Sequence, residues 1–124
     1  MARGRKVLCV DDDGVELIVI RAWLELAGYK VVTQKGPLGT TQVFLREKPD
    51  VVLLDMNMPG LSGDALGKLI TQVTRKASVD IIFYSGEDPD VVRSRTMDLN
   101  VRGIIHKTHD GSIFLSQFER LLSQ

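Results

Sequence analysis

The most informative segment of the sequence is Val-Val-Leu-Leu-Asp-Met-Asn-Met-Pro-Gly, residues 51–60. Its first four residues are apolar, half of them are β-branched, and the run is too short for a helix, so it predicts a strand buried on both faces. The run ends at Asp55, and Pro59-Gly60 predicts a turn soon afterwards. In an open parallel sheet, ligands bind beyond the carboxyl ends of the strands, which is where Asp55 stands. A lone aspartate at a strand end is also typical of a turn cap, so the interpretation depends on the other strands.

Two more carboxylates follow the first predicted strand, residues 7–10, which runs directly into Asp11-Asp12-Asp13. Asp13 is well placed as the N-cap of the next helix, with Glu16 three residues later as its capping-box partner. This assignment leaves Asp11 and Asp12 without a capping role. They therefore become candidate ligands at the carboxyl end of a second strand.

The rest of the chain alternates between strand and helix patterns. Further strands are predicted at 29–33, 81–84 and 103–106, and helices at 14–27, 36–47, 62–73, 88–99 and 112–122. Five strands alternating with five helices predict an α/β fold in which one parallel sheet carries helices on both faces. In the first helix we expect one apolar face to meet the core, made of Val15, Val19, Trp23, Leu26 and Ala27. Ile18 is expected on the solvent side, with Arg21 and Glu25.

Length and composition exclude several classes of protein. The 124 residues suit a single domain, with its core expected at residues 6–122. A formal net charge of zero argues against direct binding of nucleic acid or an anionic membrane. The single cysteine, Cys9, excludes a disulfide framework and a cysteine-based zinc site. No apolar run approaches the length of a membrane span, so we expect a cytoplasmic protein.

Five candidate site residues stand at the carboxyl ends of predicted strands, and their side chains can meet at one edge of the sheet. They are Asp11, Asp12, Asp55, Ser85 and Lys107. Three neighbouring carboxylates raise one another's pKa unless a cation compensates their charge. Oxygen ligands without cysteine or histidine favour Mg²⁺. A cation, an ammonium and a hydroxyl around one carboxylate suit phosphoryl transfer, in which the carboxylate can be the nucleophile.

The acidic pair, the Asp-Met-Asn-Met-Pro-Gly segment, Ser85-Gly86 and Lys107 together resemble the receiver domain of two-component response regulators. The resemblance covers residues 6–122 and implies a doubly wound, flavodoxin-like (βα)5 fold with three layers. It implies a phosphoryl group accepted from a histidine kinase or a histidine phosphotransfer protein, and a signal passed to an output domain or a downstream protein. It assigns Asp55 as phosphoacceptor, Asp11, Asp12, Asp55 and the main-chain carbonyl of Asn57 as Mg²⁺ ligands, and Ser85 and Lys107 as contacts of the phosphoryl oxygens. Such a domain is not an ordinary enzyme, but it promotes its own phosphorylation and dephosphorylation.

The sequence departs from the receiver pattern at two positions. Thr108 stands where a proline usually follows the conserved lysine, and this affects the positioning of Lys107. Ile104 stands where the fifth strand usually carries an aromatic residue that takes part in the output switch.

Two other functional classes are alternatives to the receiver. A haloacid dehalogenase-type hydrolase also uses a strand-end aspartate and Mg²⁺, but it needs a second aspartate two residues later as general acid. This chain has Asn57 there, which cannot take that role. The other alternative is a receiver-like module that docks a partner without being phosphorylated.

Overall fold

A computed structural model describes residues 4–74 and 79–124 of the chain. The strands are β1 (Lys6–Asp11), β2 (Lys30–Lys35), β3 (Val51–Leu54), β4 (Asp80–Ser85) and β5 (Val101–His106). The helices are α1 (Gly14–Leu26), α2 (Thr40–Glu47), α3 (Gly63–Val73), α4 (Pro89–Arg95) and α5 (Gly111–Leu122). The strands form one parallel sheet in the order β2-β1-β3-β4-β5, which confirms the predicted α/β fold. Within the two described ranges, no helix has the length and apolar character needed to cross a membrane.

The register of the central strands brings the candidate residues to one edge. Val10 of β1 is paired with Leu54 of β3, so the residues that follow them, Asp11 and Asp55, emerge side by side. The backbone amide of Asp55 donates to the carbonyl of Val10 at 3.0 Å and continues this pairing past the end of β3. Strand alignment alone therefore places two carboxylates next to each other.

Helices cover both faces of the sheet, because successive side chains of each strand point to opposite faces. Val51 and Leu53 belong to the core under α1 and α5, whereas Val52 and Leu54 belong to the core under α2, α3 and α4. All four are at most 2% exposed, as expected for a central parallel strand. The result is the three-layer arrangement that the sequence predicted.

Helix α1 buries a different face from the predicted one. Its buried residues are Leu17, Ile20 and Leu24, whereas Val15, Val19 and Leu26 are exposed; Trp23 and Ala27 pack only partly against the core. The prediction was wrong because apolar residues surround most of this helix, so periodicity does not single out one face. Ile18 is exposed, as predicted, and Arg21 and Glu25 form an exposed ion pair.

Two helices are shorter than predicted. Helix α2 begins at Thr40 rather than at residue 36, because Gly36 and Gly39 have φ values of 78° and 85°, a left-handed conformation that cannot continue a helix. Helix α4 ends at Arg95 rather than near residue 99, since Thr96 leaves helical geometry with φ −115°.

Candidate functional site

Asp55 lies at the centre of the carboxyl edge of the sheet and is only 5% exposed. The backbone amide of Asn57 donates to its Oδ1 at 3.4 Å, which orients the carboxylate within the turn after β3. The start of α3 packs directly on this turn: the amide of Gly63 donates to the carbonyl of Met56 at 2.8 Å. A Cβ at position 63 would overlap the carbonyl of Asp55, so only glycine fits there.

The acidic cluster predicted from the sequence is formed. One carboxylate oxygen from each of Asp11, Asp12 and Asp55 lies within 4.8 Å of the others. Asp11 is 2% exposed, and its Oδ1 accepts from the amide of Asp13 at 2.9 Å, whereas Asp12 is exposed. Ligands of one Mg²⁺ ion, each at about 2.1 Å, lie up to about 4.2 Å apart, so this all-oxygen set fits the ion after small side-chain movements.

Lys107 extends from the end of β5 into the same cluster. Its ammonium lies 3.5 Å from Asp11 Oδ2, 3.5 Å from Asp55 Oδ1 and 2.6 Å from Glu16 Oε2. Its backbone amide donates to the carbonyl of Ser85 at 2.8 Å, which fixes the point from which the side chain starts. The predicted convergence of Lys107 with the carboxylates is thus present in the structure.

The cluster opens into a cleft of about 670 Å³. It is lined by Asp11, Asp12, Asp13, Gly14, Glu16, Lys35, Asp55, Asn57, Gly86, Glu87 and Lys107. Ser85 is not among these residues: it is 1% exposed, and its Oγ accepts from the amide of Glu87 at 3.0 Å. Ser85 therefore lies at the end of β4, as predicted, but its side chain is buried beneath the surface of the cleft.

Burial and neighbouring charges shift the pKa values of the cluster. Burial raises the pKa of Asp11, and both its hydrogen bond with Glu16 and the charge of Asp55 raise it further. Burial also raises the pKa of Asp55, against the opposing effect of the Lys107 ammonium. The pKa of Lys107 is raised although burial opposes this, because Glu16, Asp11 and Asp55 surround its ammonium. The cluster holds more negative charge than one ammonium balances, and a divalent cation would relieve this excess.

Sequence reasoning missed the part that Glu16 plays in the site. Asp13 caps α1 as predicted, accepting from the amides of Val15 and Glu16 at 2.9 and 3.3 Å. The capping-box role of Glu16 was wrong, since its carboxylate turns to Lys107 and the amide of Asp13 donates to Asp11 instead. The sequence signal was present, because Glu16 lies in the first helical turn after the acidic pair, but the capping pattern gave it another explanation.

Sequence reasoning also missed Tyr84, the residue before Ser85 on β4. Its hydroxyl donates to the carbonyl of Thr108 at 3.2 Å and accepts from the Thr108 amide at 3.4 Å. The Lys107 ammonium lies 5.7 Å from the centre of the Tyr84 ring. The amide that a proline at position 108 would lack is therefore used here, and it helps to hold the loop that follows Lys107.

The family model for the response regulator receiver domain matches residues 7–118. The chain is similar to the protein PilH of Pseudomonas aeruginosa, with 26% identity over 118 residues that cover 95% of this chain and 98% of PilH. It is also similar to the transcriptional regulatory protein KdpE of Mycobacterium tuberculosis, with 39% identity over 89 residues, which are 71% of this chain and 38% of KdpE.

A solved structure with a similar fold is the BeF3-activated N-terminal receiver domain of Klebsiella pneumoniae RstA. The TM-score is 0.82 and the sequence identity 27%, and the match covers 96% of this chain and 99% of that one. The chain thus spans almost the full length of PilH and of the RstA domain, but well under two thirds of the longer regulator KdpE.

Proposed function

Because this chain belongs to the response regulator receiver domain family, in which phosphorylation on an aspartate is general, we propose that Asp55 is its phosphoacceptor. The observation that carries this assignment is the position of the Asp55 carboxylate, buried at the end of the central strand, with Asp11 beside it and the Lys107 ammonium at 3.5 Å. The proposed donor is a phosphohistidine on a histidine kinase or a histidine phosphotransfer protein.

In the transfer step, an oxygen of Asp55 attacks the phosphorus while the bond from phosphorus to the donor nitrogen breaks. The electron pair of that bond stays on the imidazole, and Asp55 becomes an acyl phosphate. The Lys107 ammonium can reach a phosphoryl oxygen from its present position, and the Ser85 hydroxyl can do so once its loop moves toward the cleft. Both groups would stabilise the charge on the transferred group.

Asp11, Asp12, Asp55 and the main-chain carbonyl of Asn57 are the proposed ligands of a Mg²⁺ ion. When bound, the ion would neutralise carboxylate charge and attract phosphoryl oxygens. The geometry of the cluster supports this assignment, because the carboxylate oxygens lie close together and a cation would compensate their excess negative charge.

The first helix is the proposed docking surface for the donor protein. Val15 and Ile18 are each 70% exposed on the first turns of α1, next to the cleft. Exposed aliphatic side chains beside a reacting carboxylate suit a partner that must bring a histidine close to Asp55.

The signal is proposed to leave through the loop after Ser85 and through α4, toward an output domain or a downstream protein. Ile104 is too short to swing between a buried and an exposed position as an aromatic residue would, and it is stiff at its first torsion. Hydrogen exchange with and without beryllofluoride should therefore change at residues 85–90 and stay nearly constant at Ile104 and Ile105. The reverse pattern would place the output route on β5.

A receiver is a signalling domain rather than an ordinary enzyme, and we propose that this one promotes both its own phosphorylation and its dephosphorylation. Residues 1–124 are proposed to form a single receiver domain with its core at 6–122, in agreement with the family match at 7–118. A cytoplasmic location is proposed with it, since the one cysteine, Cys9, is buried as a free thiol.

Intact-mass measurement after incubation with Mg²⁺ and acetyl phosphate tests the phosphoacceptor. We expect a gain of one phosphoryl group that requires Mg²⁺ and disappears in Asp55→Asn. Asp13→Asn is the matched control, because it removes a carboxylate from the same cleft and an asparagine can still cap α1. A gain that persists in Asp55→Asn would refute the assignment, and no gain in the unaltered chain would favour a docking module.

A further inference from the structure

Glu16 is the partner that holds the Lys107 side chain most closely. The 2.6 Å contact to Glu16 is as short as a charge-assisted hydrogen bond becomes, whereas the contacts to Asp11 and Asp55 are both 3.5 Å. The Glu16 side chain is 36% exposed and the Lys107 side chain 22%, so the pair is partly screened from water.

The start of the Lys107 side chain is fixed, so only its own torsions decide where the ammonium lies. Its amide is bonded to the carbonyl of Ser85, and the next residue, Thr108, is held by the hydroxyl of Tyr84. From this fixed start, the flexible four-carbon stem can place the ammonium against Glu16 or deeper, against the two aspartates.

The Glu16–Lys107 pair also separates two spaces on the surface. One is the acidic cleft, and the other is a groove of about 550 Å³ lined by Val15, Val19, Trp23 and Thr108, among others; Glu16 and Lys107 line both. Glu16 therefore meets the ammonium at the border between the cleft and the groove, where its carboxylate also lies beside that of Asp11.

We propose that Glu16 is a positioning residue: its carboxylate holds the Lys107 ammonium toward α1, 3.5 Å from the oxygens of Asp11 and Asp55, and thereby keeps the ammonium from closing on those oxygens in place of a divalent cation. Without this contact, the ammonium would settle between the two aspartates and compete with the ion for the same oxygens. This inference deepens the proposed function of the site and rests on its metal assignment, but not on the phosphoacceptor assignment.

Calorimetric titration with MgCl2 tests the inference on Glu16→Gln, compared with Asp13→Asn. Both variants remove one negative charge from the cleft rim, but Asp13 makes no contact with Lys107 among the described ion pairs. We expect Glu16→Gln to lose about fivefold more Mg²⁺ affinity than Asp13→Asn, a difference typical of residues in direct contact. Equal losses in the two variants would mean that Glu16 acts only through its charge, and would overturn the proposal.

A second measurement repeats both titrations in a Lys107→Met background. This background has no ammonium that Glu16 could keep away from the aspartates. Glu16→Gln and Asp13→Asn should therefore weaken Mg²⁺ binding equally in it. An unchanged fivefold gap would show that Glu16 acts independently of Lys107 and would also overturn the proposal. Circular dichroism before each titration checks folding.

The outcomes remain separable from those of the proposed function. No measurable Mg²⁺ binding by the unaltered chain would overturn both this inference and the metal assignment. A mass gain that persists in Asp55→Asn would refute the phosphoacceptor without affecting the titrations.

Discussion

Replacing Asp11 by asparagine is expected to stabilise the metal-free protein, and to do so increasingly as the pH rises from about 5 to about 8. Asp11 is 2% exposed, and burial, its hydrogen bond with Glu16 and the charge of Asp55 raise its pKa to about 8. In the unfolded chain its pKa returns to about 4. Between these two values the folded state holds a proton that the unfolded state has released, so the free energy of unfolding falls as the pH rises.

The size of the effect follows from this difference in pKa. One pH unit within the window lowers the free energy of unfolding by at most about 1.4 kcal/mol. Because Glu16 and Lys107 can rearrange when Asp11 ionises, we expect the advantage of Asp11→Asn to reach about 1–3 kcal/mol at pH 8. The raised pKa of Lys107 adds stability that is lost only above about pH 10, outside this window.

The charged groups around position 11 are the same in the unaltered protein and in Asp11→Asn. Besides Glu16 and Lys107, the charged groups around Asp11 are Asp55 at the end of β3, Asp12 and Asp13 in its own loop, Lys35 at the end of β2, and Glu87 across the cleft. All are present in the parent and in the variant, so their own titration largely cancels in the difference.

Saturating Mg²⁺ should reverse the order of stabilities. An ion at 100 times its dissociation constant adds about 2.7 kcal/mol to a protein that binds it. Asp11→Asn lacks one proposed ligand and should gain much less.

The assay is urea unfolding followed by circular dichroism at pH 5, 6, 7 and 8, once with a chelator and once with Mg²⁺. Asp13→Asn serves as the control, because it removes an exposed carboxylate from the same loop. A variant that is destabilised with chelator, or an advantage that does not grow with pH, would refute the reasoning about Asp11.

Three further predictions concern the surroundings of the site. Tyr84→Phe removes the hydroxyl that bonds both backbone groups of Thr108, so we expect a loss of about 1–2 kcal/mol in urea unfolding and slower phosphorylation by acetyl phosphate; unchanged values of both would contradict a role in holding the loop. Gly63→Ala places a methyl group against the turn after β3 and should lower the free energy of unfolding by at least about 1–3 kcal/mol. Gly86→Ala is the control: its added Cβ would meet no neighbouring atom within 4 Å, so the free energy of unfolding should change little in the same urea experiment. Ile18→Glu should slow phosphotransfer from a protein donor but not from acetyl phosphate, and equal rates with the protein donor would mean that Ile18 is simply an exposed aliphatic residue.

Much of the candidate site could be predicted because the end of each of these strands is visible in the sequence, where an apolar run stops at a polar residue. The apolar run of β3 stops at Asp55 and that of β1 stops at Asp11, and a parallel sheet brings such ends together whatever the helices do. The position of Lys107 follows from the same rule at the end of β5. These features depend on backbone pairing, which short apolar runs specify well.

The features that were not predicted depend on contacts between elements that are distant in the sequence, or on the exact shape of a turn, and a local sequence pattern does not contain this information. Glu16 could cap α1 or bind Lys107. It binds Lys107 because α1 and the end of β5 lie close together in the folded protein, which the sequence pattern does not show. The buried face of α1 was missed because the helix is apolar on several sides. The depth of Ser85 depends on the tight turn in which its Oγ accepts from the amide of Glu87.

The order of the elements along the chain separates the acidic residues of the site from its ammonium. Strands β1 and β3 pair in the middle of the sheet, and Asp11, Asp12 and Asp55 all lie in the first half of the chain. Lys107 comes from β5, an edge strand that pairs only with β4 and is made near the end of translation. The part of the chain that carries the three carboxylates is thus translated well before the residue that carries the ammonium. Fraying of the β5 edge in the finished protein would withdraw that ammonium first and leave the three carboxylates in place.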